Sequence, residues 1–320
     1  MANKTVTVKS ASGDYTTLNA ALAGESANLV TGTCILTIEC YAMQDTTAAG
    51  TGTGYTTNAS YYINIVAPAG NRHTGIRSTS AYRLEPTVNY GWALTIEEAY
   101  TRVTYLQIRN ASAFNSGALN VDATNCLIRE CLVYDTEGAS SDGRGIVGGQ
   151  TTNYFINCIV LNCIDGFRIT ENSNIVYNCV SLNNTGYGFQ ITGFKTLVAK
   201  NCYAGANGTD YQVDTNGTLT KTTCHASDTT GNTQTACSTS SGAYFTNVTA
   251  GTENIHIGAS SALIGVGTDL HADGTFAFNT DIDGETRPDG AWDVGADEYV
   301  AAGGGTVVPV FMNQYRQRRS

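Results

Sequence analysis

Three side chains stand at one place in a repeated pattern: Arg168, Gln190 and Gln212, each 22 residues after the last. They follow Phe167, Phe189 and Tyr211. In a strand whose Phe167 and Ile169 face inward, Arg168 faces outward. A guanidinium and two carboxamides in a row offer the donors and acceptors that sugar hydroxyls need. The row is therefore a candidate glycan-binding strip, with a solvated sheet face as the other reading. Asp142, Arg144, Asp165 and Glu171 fall in the neighbouring turns or an inserted loop and complete the candidate.

Other chemistry finds less footing. Glycoside hydrolysis needs two carboxylates at a set separation, and no Asp cluster recurs across successive repeats. The four histidines, His73, His225, His256 and His271, do not follow the repeat. No catalytic residue is assigned. Asn279-x-Asp281-x-Asp283-Gly284 matches the first half of a calcium loop, but Gly290 stands where an acidic twelfth residue belongs. An Asp/Gly turn accounts for the same residues. Beyond a calcium ion at Asn279, Asp281 and Asp283, no cofactor is expected.

These residues need a scaffold, and the sequence supplies a repeat. Asn-Cys recurs at Asn125-Cys126, Asn157-Cys158, Asn178-Cys179 and Asn201-Cys202, in steps of 32, 21 and 23, and Cys224 follows 22 later. Gly145-Ile146, Gly166-Phe167 and Gly188-Phe189 keep nearly the same step. A period near 22 with short strands fits one coil of a β-solenoid, which buries its apolar rows only by stacking on its neighbours. The spacing predicts an all-β, right-handed parallel β-helix with a buried Asn-Cys ladder of free thiols. The 32-residue step places an insertion of about ten residues near 137–149. Cys131 and Cys163 are read as a second, offset row.

The expected organisation is a strand and capping helix over 1–32, coils over 33–230, C-terminal coils and cap over 231–300, and a tail over 301–320. Thr16 or Thr17 is the expected N-cap of a helix near Leu18–Ala23. Ser12-Gly13-Asp14-Tyr15-Thr16-Thr17-Leu18 with Ala20-Ala21-Leu22 resembles the opening of pectin methylesterases and related pectin-active β-helix proteins. The Asp-bearing catalytic strand of those esterases is absent, as are the Gly-His-Gly and Arg-Ile-Lys elements of polygalacturonase-like hydrolases. The run from Asn254 to Thr268, with Asp281–Pro288 and Asp293–Tyr299, resembles the closing segment of bacterial and viral β-helix surface proteins. Both resemblances imply fold rather than chemistry.

After Gly303–Gly305 the tail carries Val307, Val308, Val310, Phe311, Met312 and Tyr315, then Arg316, Arg318 and Arg319. An apolar run with a basic end suits docking to a partner. The net charge of −10 is a poor match for nucleic acid. No apolar run is long enough to span a bilayer, and no signal peptide precedes the first strand pattern. The function expected from these features is a non-catalytic virion or surface protein, such as a phage spike, fibre or capsid-decorating protein. It would dock other virion proteins through the tail, bind host glycans on its lateral face and form homo-oligomers. It would be made in a host cytoplasm and reside in the virion. The alternative is an extracellular polysaccharide lyase, hydrolase or esterase.

Overall fold

The computed structural model describes residues 3–52, 54–136, 143–234 and 244–301. Strands alternate between three parallel sheets of nine, nine and seven strands. The first sheet runs from Lys4–Val8 to Thr218–Thr222, and the second from Gln44–Asp45 to Thr233–Gln234. The third runs from Ala49–Gly50 to Thr209–Val213. The chain visits first, second and third sheet in turn and then begins the next coil, which makes a right-handed parallel β-helix of about seven turns. The N-terminal strand is itself the first rung, paired in register with Leu36–Cys40.

Alternation decides what each strand buries. In the first sheet Ile38, Ile65, Val103, Ile128, Phe155, Val176 and Ala199 stack in register, all fully buried. In the third sheet Phe167, Phe189 and Tyr211 form an aromatic stack, with centroids 4.8 and 5.1 Å apart and rings tilted by 10°. Each such side chain contributes about 1.5–3 kcal/mol by leaving water. The glycines before Phe167 and Phe189, and before Ile146 one coil earlier, are required by space. A Cβ on Gly166 would lie 2.1 Å from the Ser181 hydroxyl oxygen, and one on Gly145 2.4 Å from a Val160 methyl.

Corners require left-handed backbone. Between first and second sheets the residue with positive φ is Tyr105, Glu130, Asn157, Asn178, Asn201 and Thr223 in successive coils. Between second and third it is Asp135, Asn162, Asn183 and Ala206. Between third and first it is Tyr100, Asn125, Thr152 and Ser173. Asn tolerates this region better than most residues, which explains its abundance.

The expected cysteine ladder forms, but in a different register. Leu132 pairs with Ile159, Val180, Tyr203 and His225 through successive coils. The residues before them are therefore one row: Cys131, Cys158, Cys179, Cys202 and Cys224. Cys126 precedes a first-sheet strand instead, where its N–H donates to Asn153 Oδ1 at 2.9 Å. Cys163 sits at the second-to-third corner and donates to Asn184 Oδ1 at 2.9 Å. The step into Cys158 is 27 residues (158 − 131), so the insertion is about half the expected size. Glu130 holds the left-handed place that Asn holds in later coils, and this hid the true register. All nine cysteines among the described residues are free and buried.

The helix spans Leu18–Gly24, with Thr17 as N-cap accepting from the Ala20 N–H at 3.1 Å. Residues 244–299 do not stack under the last coil. Phe245, Val248, Ile255, Leu263 and Val294 pack on Leu132, Ile159, Val180 and Tyr203 of the second sheet's outer face. Leu270, Phe278 and Trp292 pack on Ile156, Ile175 and Tyr177 of the first. The segment expected to close the end thus covers a flank. Asn157, Asn178 and Asn201 hold it there, donating to the carbonyls of Thr280, Gly295 and Thr268 at 2.7, 3.1 and 2.8 Å.

Candidate glycan-binding face

The flank segment covers outer faces of the first and second sheets. The third sheet carries the sequence-predicted row. Thr95, Asn120, Val147, Arg168, Gln190 and Gln212 stack in register. Parallel register fixes the row, because each of these residues follows an inward aromatic or aliphatic anchor, Leu94 to Tyr211. At about 4.8 Å per coil the row spans roughly 24 Å. Gln190 Oε1 is buried without a hydrogen-bond donor among the described residues.

The other predicted residues divide. Arg144 and Asp165 are register partners at the entry end of the sheet. Asp165 is buried, accepts from the Tyr187 N–H at 3.3 Å and pairs with Arg168 at 3.8 Å. Glu171 lies beyond the opposite end, where it pairs with Lys195 at 2.6 Å, so it does not join Arg144. Asp142 lies outside the described residues. So do tail residues Val307, Val308, Val310, Phe311, Met312, Tyr315, Arg316, Arg318 and Arg319.

An aromatic cleft adjoins the row and was not foreseen. Trp92, Gly117 and Arg144 are stacked register partners. The indole lies along the sheet over Gly117, where a Cβ would fall 1.9 Å from Trp92 Cζ3. Tyr90 and Phe114, 75% and 48% exposed, stand at its mouth with centroids 5.8 Å apart. A cavity of about 190 Å³ lies between Tyr90, Trp92, Asn115, Ser116 and Arg144. Buried Asn110 sets the mouth, donating to the Val88 and Gly91 carbonyls at 3.1 Å on either side of Tyr90. Tyr90 is held at φ 57°, a conformation uncommon outside glycine and Asn. An exposed aromatic in a polar Asn-Tyr-Gly turn is the one signal by which the sequence marked this cleft.

The calcium-loop residues do not converge as that pattern requires. Asn279 is exposed. Asp281 is buried and accepts from the N–H groups of Asp283, Glu285 and Glu298 at 3.0, 2.9 and 3.3 Å. That is the Asp/Gly turn. Asp283 instead faces His256 Nε2 at 3.1 Å. With Asp297 these two place ligand atoms within 4.8 Å of one another. The Asp283 contact raises the His256 pKa, and burial pushes Asp297 up to about 7.

No family model matches the chain, and no curated protein matches it. Among solved structures, the deglycosylated pectin methylesterase from Aspergillus niger is similar over 74% of this chain and 90% of its own, at 10% identity and a TM-score of 0.49. The pectin methylesterase from carrot is similar over 69% and 70%, at 13% identity and 0.42. A pectate lyase is similar over 94% and 97%, at 11% identity and 0.42. At these identities the likeness is one of fold, and the β-helix itself rests on the strand register described above.

Proposed function

We propose that the protein binds an extended polysaccharide across its third sheet. The observation that carries the reading is the continuity of the aromatic cleft with the polar row. Tyr90, Trp92 and Phe114 present ring faces beside Arg144. Arg168, Gln190 and Gln212 continue along the helix axis as hydrogen-bonding groups. Ligand sites combine apolar and aromatic walls with a few placed polar groups, and a chain of pyranoses presents both surfaces. Arginine and carboxylate alternate at Arg144, Asp165 and Arg168, so the row favours hydroxyl-rich glycans over strongly anionic ones.

The virion or surface role expected from the sequence draws on the free cysteines, the lack of a recognised catalytic set and a tail that lies outside the described residues, and the fold adds nothing to it. The enzymatic alternative shares the same ligand class. One experiment addresses binding and turnover together. Neutral and acidic polysaccharides are tested by affinity electrophoresis, and the mixtures are assayed for reducing ends and unsaturated uronides. Retardation by at least one polysaccharide, weakened about tenfold or more (over 1.4 kcal/mol) in Trp92→Ala and Arg168→Ala, is the expected result. Variants that bind like the parent protein would sink the reading. Released reducing ends or uronides would make the face an active site.

A further inference from the structure

We infer that a second site, on the flank of the second sheet, binds an oxyanion between Arg77, Arg83 and Arg109. It stands independently of the glycan reading, which concerns the third sheet. A cavity of about 210 Å³ lies among these arginines, Ser78, Glu85 and Asp135. Arg77 comes from the long loop between Ile63–Val66 and Arg83–Leu84. Arg83 and Arg109 come from successive coils, flanking register partners Leu84 and Ile108.

Counting donors against acceptors makes the case. Glu85 Oε1 accepts from the Tyr134 hydroxyl at 2.8 Å, and Oε2 from Gln44 and Arg83 at 2.9 Å each. Asp135 takes both terminal nitrogens of Arg77, and Asn162 at 3.0 Å. Glu253 meets Arg77 at 3.2 Å and accepts from Asn162. Both carboxylates that line the cavity, Glu85 and Asp135, are thus engaged, while among the described residues Glu253 Oε2 keeps only its ion pair with Arg77. Donors remain. The Nε–H groups of Arg77 and Arg83 are buried without an acceptor among the described residues. Arg109 makes a single hydrogen bond there, from Nε to the Asp135 carbonyl at 3.3 Å, which leaves its terminal nitrogens.

Buried donors without acceptors are costly. A ligand that only accepts, such as a carboxylate or a sulfate, relieves that cost, and the guanidinium fork matches its geometry. Three guanidiniums face three carboxylates, so the formal charges balance. The selectivity therefore comes from N–H groups of the lining arginines that are unpaired among the described residues, rather than from a net positive field.

The test replaces sodium chloride by sodium sulfate at constant ionic strength and follows thermal unfolding of the full chain. The parent protein is expected to gain melting temperature along a saturating curve. Arg109→Ala removes one hydrogen bond. It should melt as the parent does in chloride and show at least tenfold weaker saturable stabilisation. Arg109→Lys, which keeps the charge and loses the fork, should be intermediate, and it serves the same comparison if the alanine variant folds poorly. An identical sulfate response in parent and variants, or no saturation in the parent, overturns the site. A second arm separates sources. Competition by galacturonate but not by galactose assigns the oxyanion to a glycan carboxylate, and competition by neither assigns it to a free inorganic anion.

Discussion

The side-chain amide of Asn178 donates to the carbonyl of Gly295, 3.1 Å away and 117 residues later in the chain. Its backbone meanwhile sits at φ 52°. One residue thus turns a coil and anchors the flank segment.

The two roles of Asn178 separate by substitution. Asn178→Ala loses the hydrogen bond, worth about 1 kcal/mol, and keeps a Cβ in the left-handed region, costing roughly 1–2 kcal/mol more. Asn178→Gly loses the hydrogen bond and tolerates the backbone. Urea unfolding should therefore rank the glycine variant above the alanine variant by about 1 kcal/mol. The reverse order would show that the corner imposes no backbone demand.

Arg287 braces the same segment from within. It is fully buried and donates to Glu298 at 2.6 Å and to the carbonyls of Gly295 and Ala296 at 3.0 Å. Arg287→Ala strands a buried carboxylate and two carbonyls, a loss of about 3–5 kcal/mol. Lysine presents no planar fork and should rescue little of it. Hydrogen exchange should locate the damage in residues 244–299, with the coil strands still protected. Uniform loss of protection across the coils would mean that the flank segment and the solenoid unfold as one unit.

The thiol row should be chemically silent. Burial pushes the Cys131, Cys179 and Cys202 thiols up, and Cys163 up to about 12. Cys158 and Cys224 go the other way: burial raises them, but hydrogen bonds from Cys131 and Cys202 outweigh it and lower them. Thiolate is the reactive form, so for those two it is lack of exposure that blocks labelling. A disulfide-exchange reagent should leave the nine buried cysteines unlabelled in native buffer and label them all in denaturant. Rapid native labelling of Cys158 or Cys179 would contradict the packed interior.

The period of the solenoid was legible because stacking forces like residues onto like places. Arg168, Gln190 and Gln212 could be placed facing outward from alternation alone. The cysteine register could not, because more than one corner demands positive φ and Asn serves at each. Asn125 turns one corner and Asn157 another, and only the pairing of Leu132 with Ile159 decides between them. The flank segment was read as an end cap for a related reason. Leu263, Ile282 and Trp292 are apolar without period, so their residue types fix that they are buried and not where. Tyr90 and Phe114 lie in polar turns, which periodicity does not reach.

Stability should carry a pH signature from Glu130. Burial raises its carboxyl from 4.5 to about 7, outweighing the Arg129 guanidinium beside it. Between these values the folded protein holds a proton that the unfolded chain has released. Stability therefore falls as pH rises through this window. His73 works in the opposite sense, because burial lowers it from 6.5 to about 4. There the unfolded chain holds the extra proton, and stability rises with pH. The two slopes oppose each other, so the parent profile alone does not isolate Glu130. Glu130→Gln does, since it keeps an acceptor for Asn157 Nδ2, which lies 3.2 Å from Glu130 Oε1, and removes the titration. The stability of the glutamine variant relative to the parent should climb steadily from pH 4.5 to pH 7. A difference that stays flat across that range would place the Glu130 carboxyl at its ordinary value, with Arg129 rather than burial setting its charge.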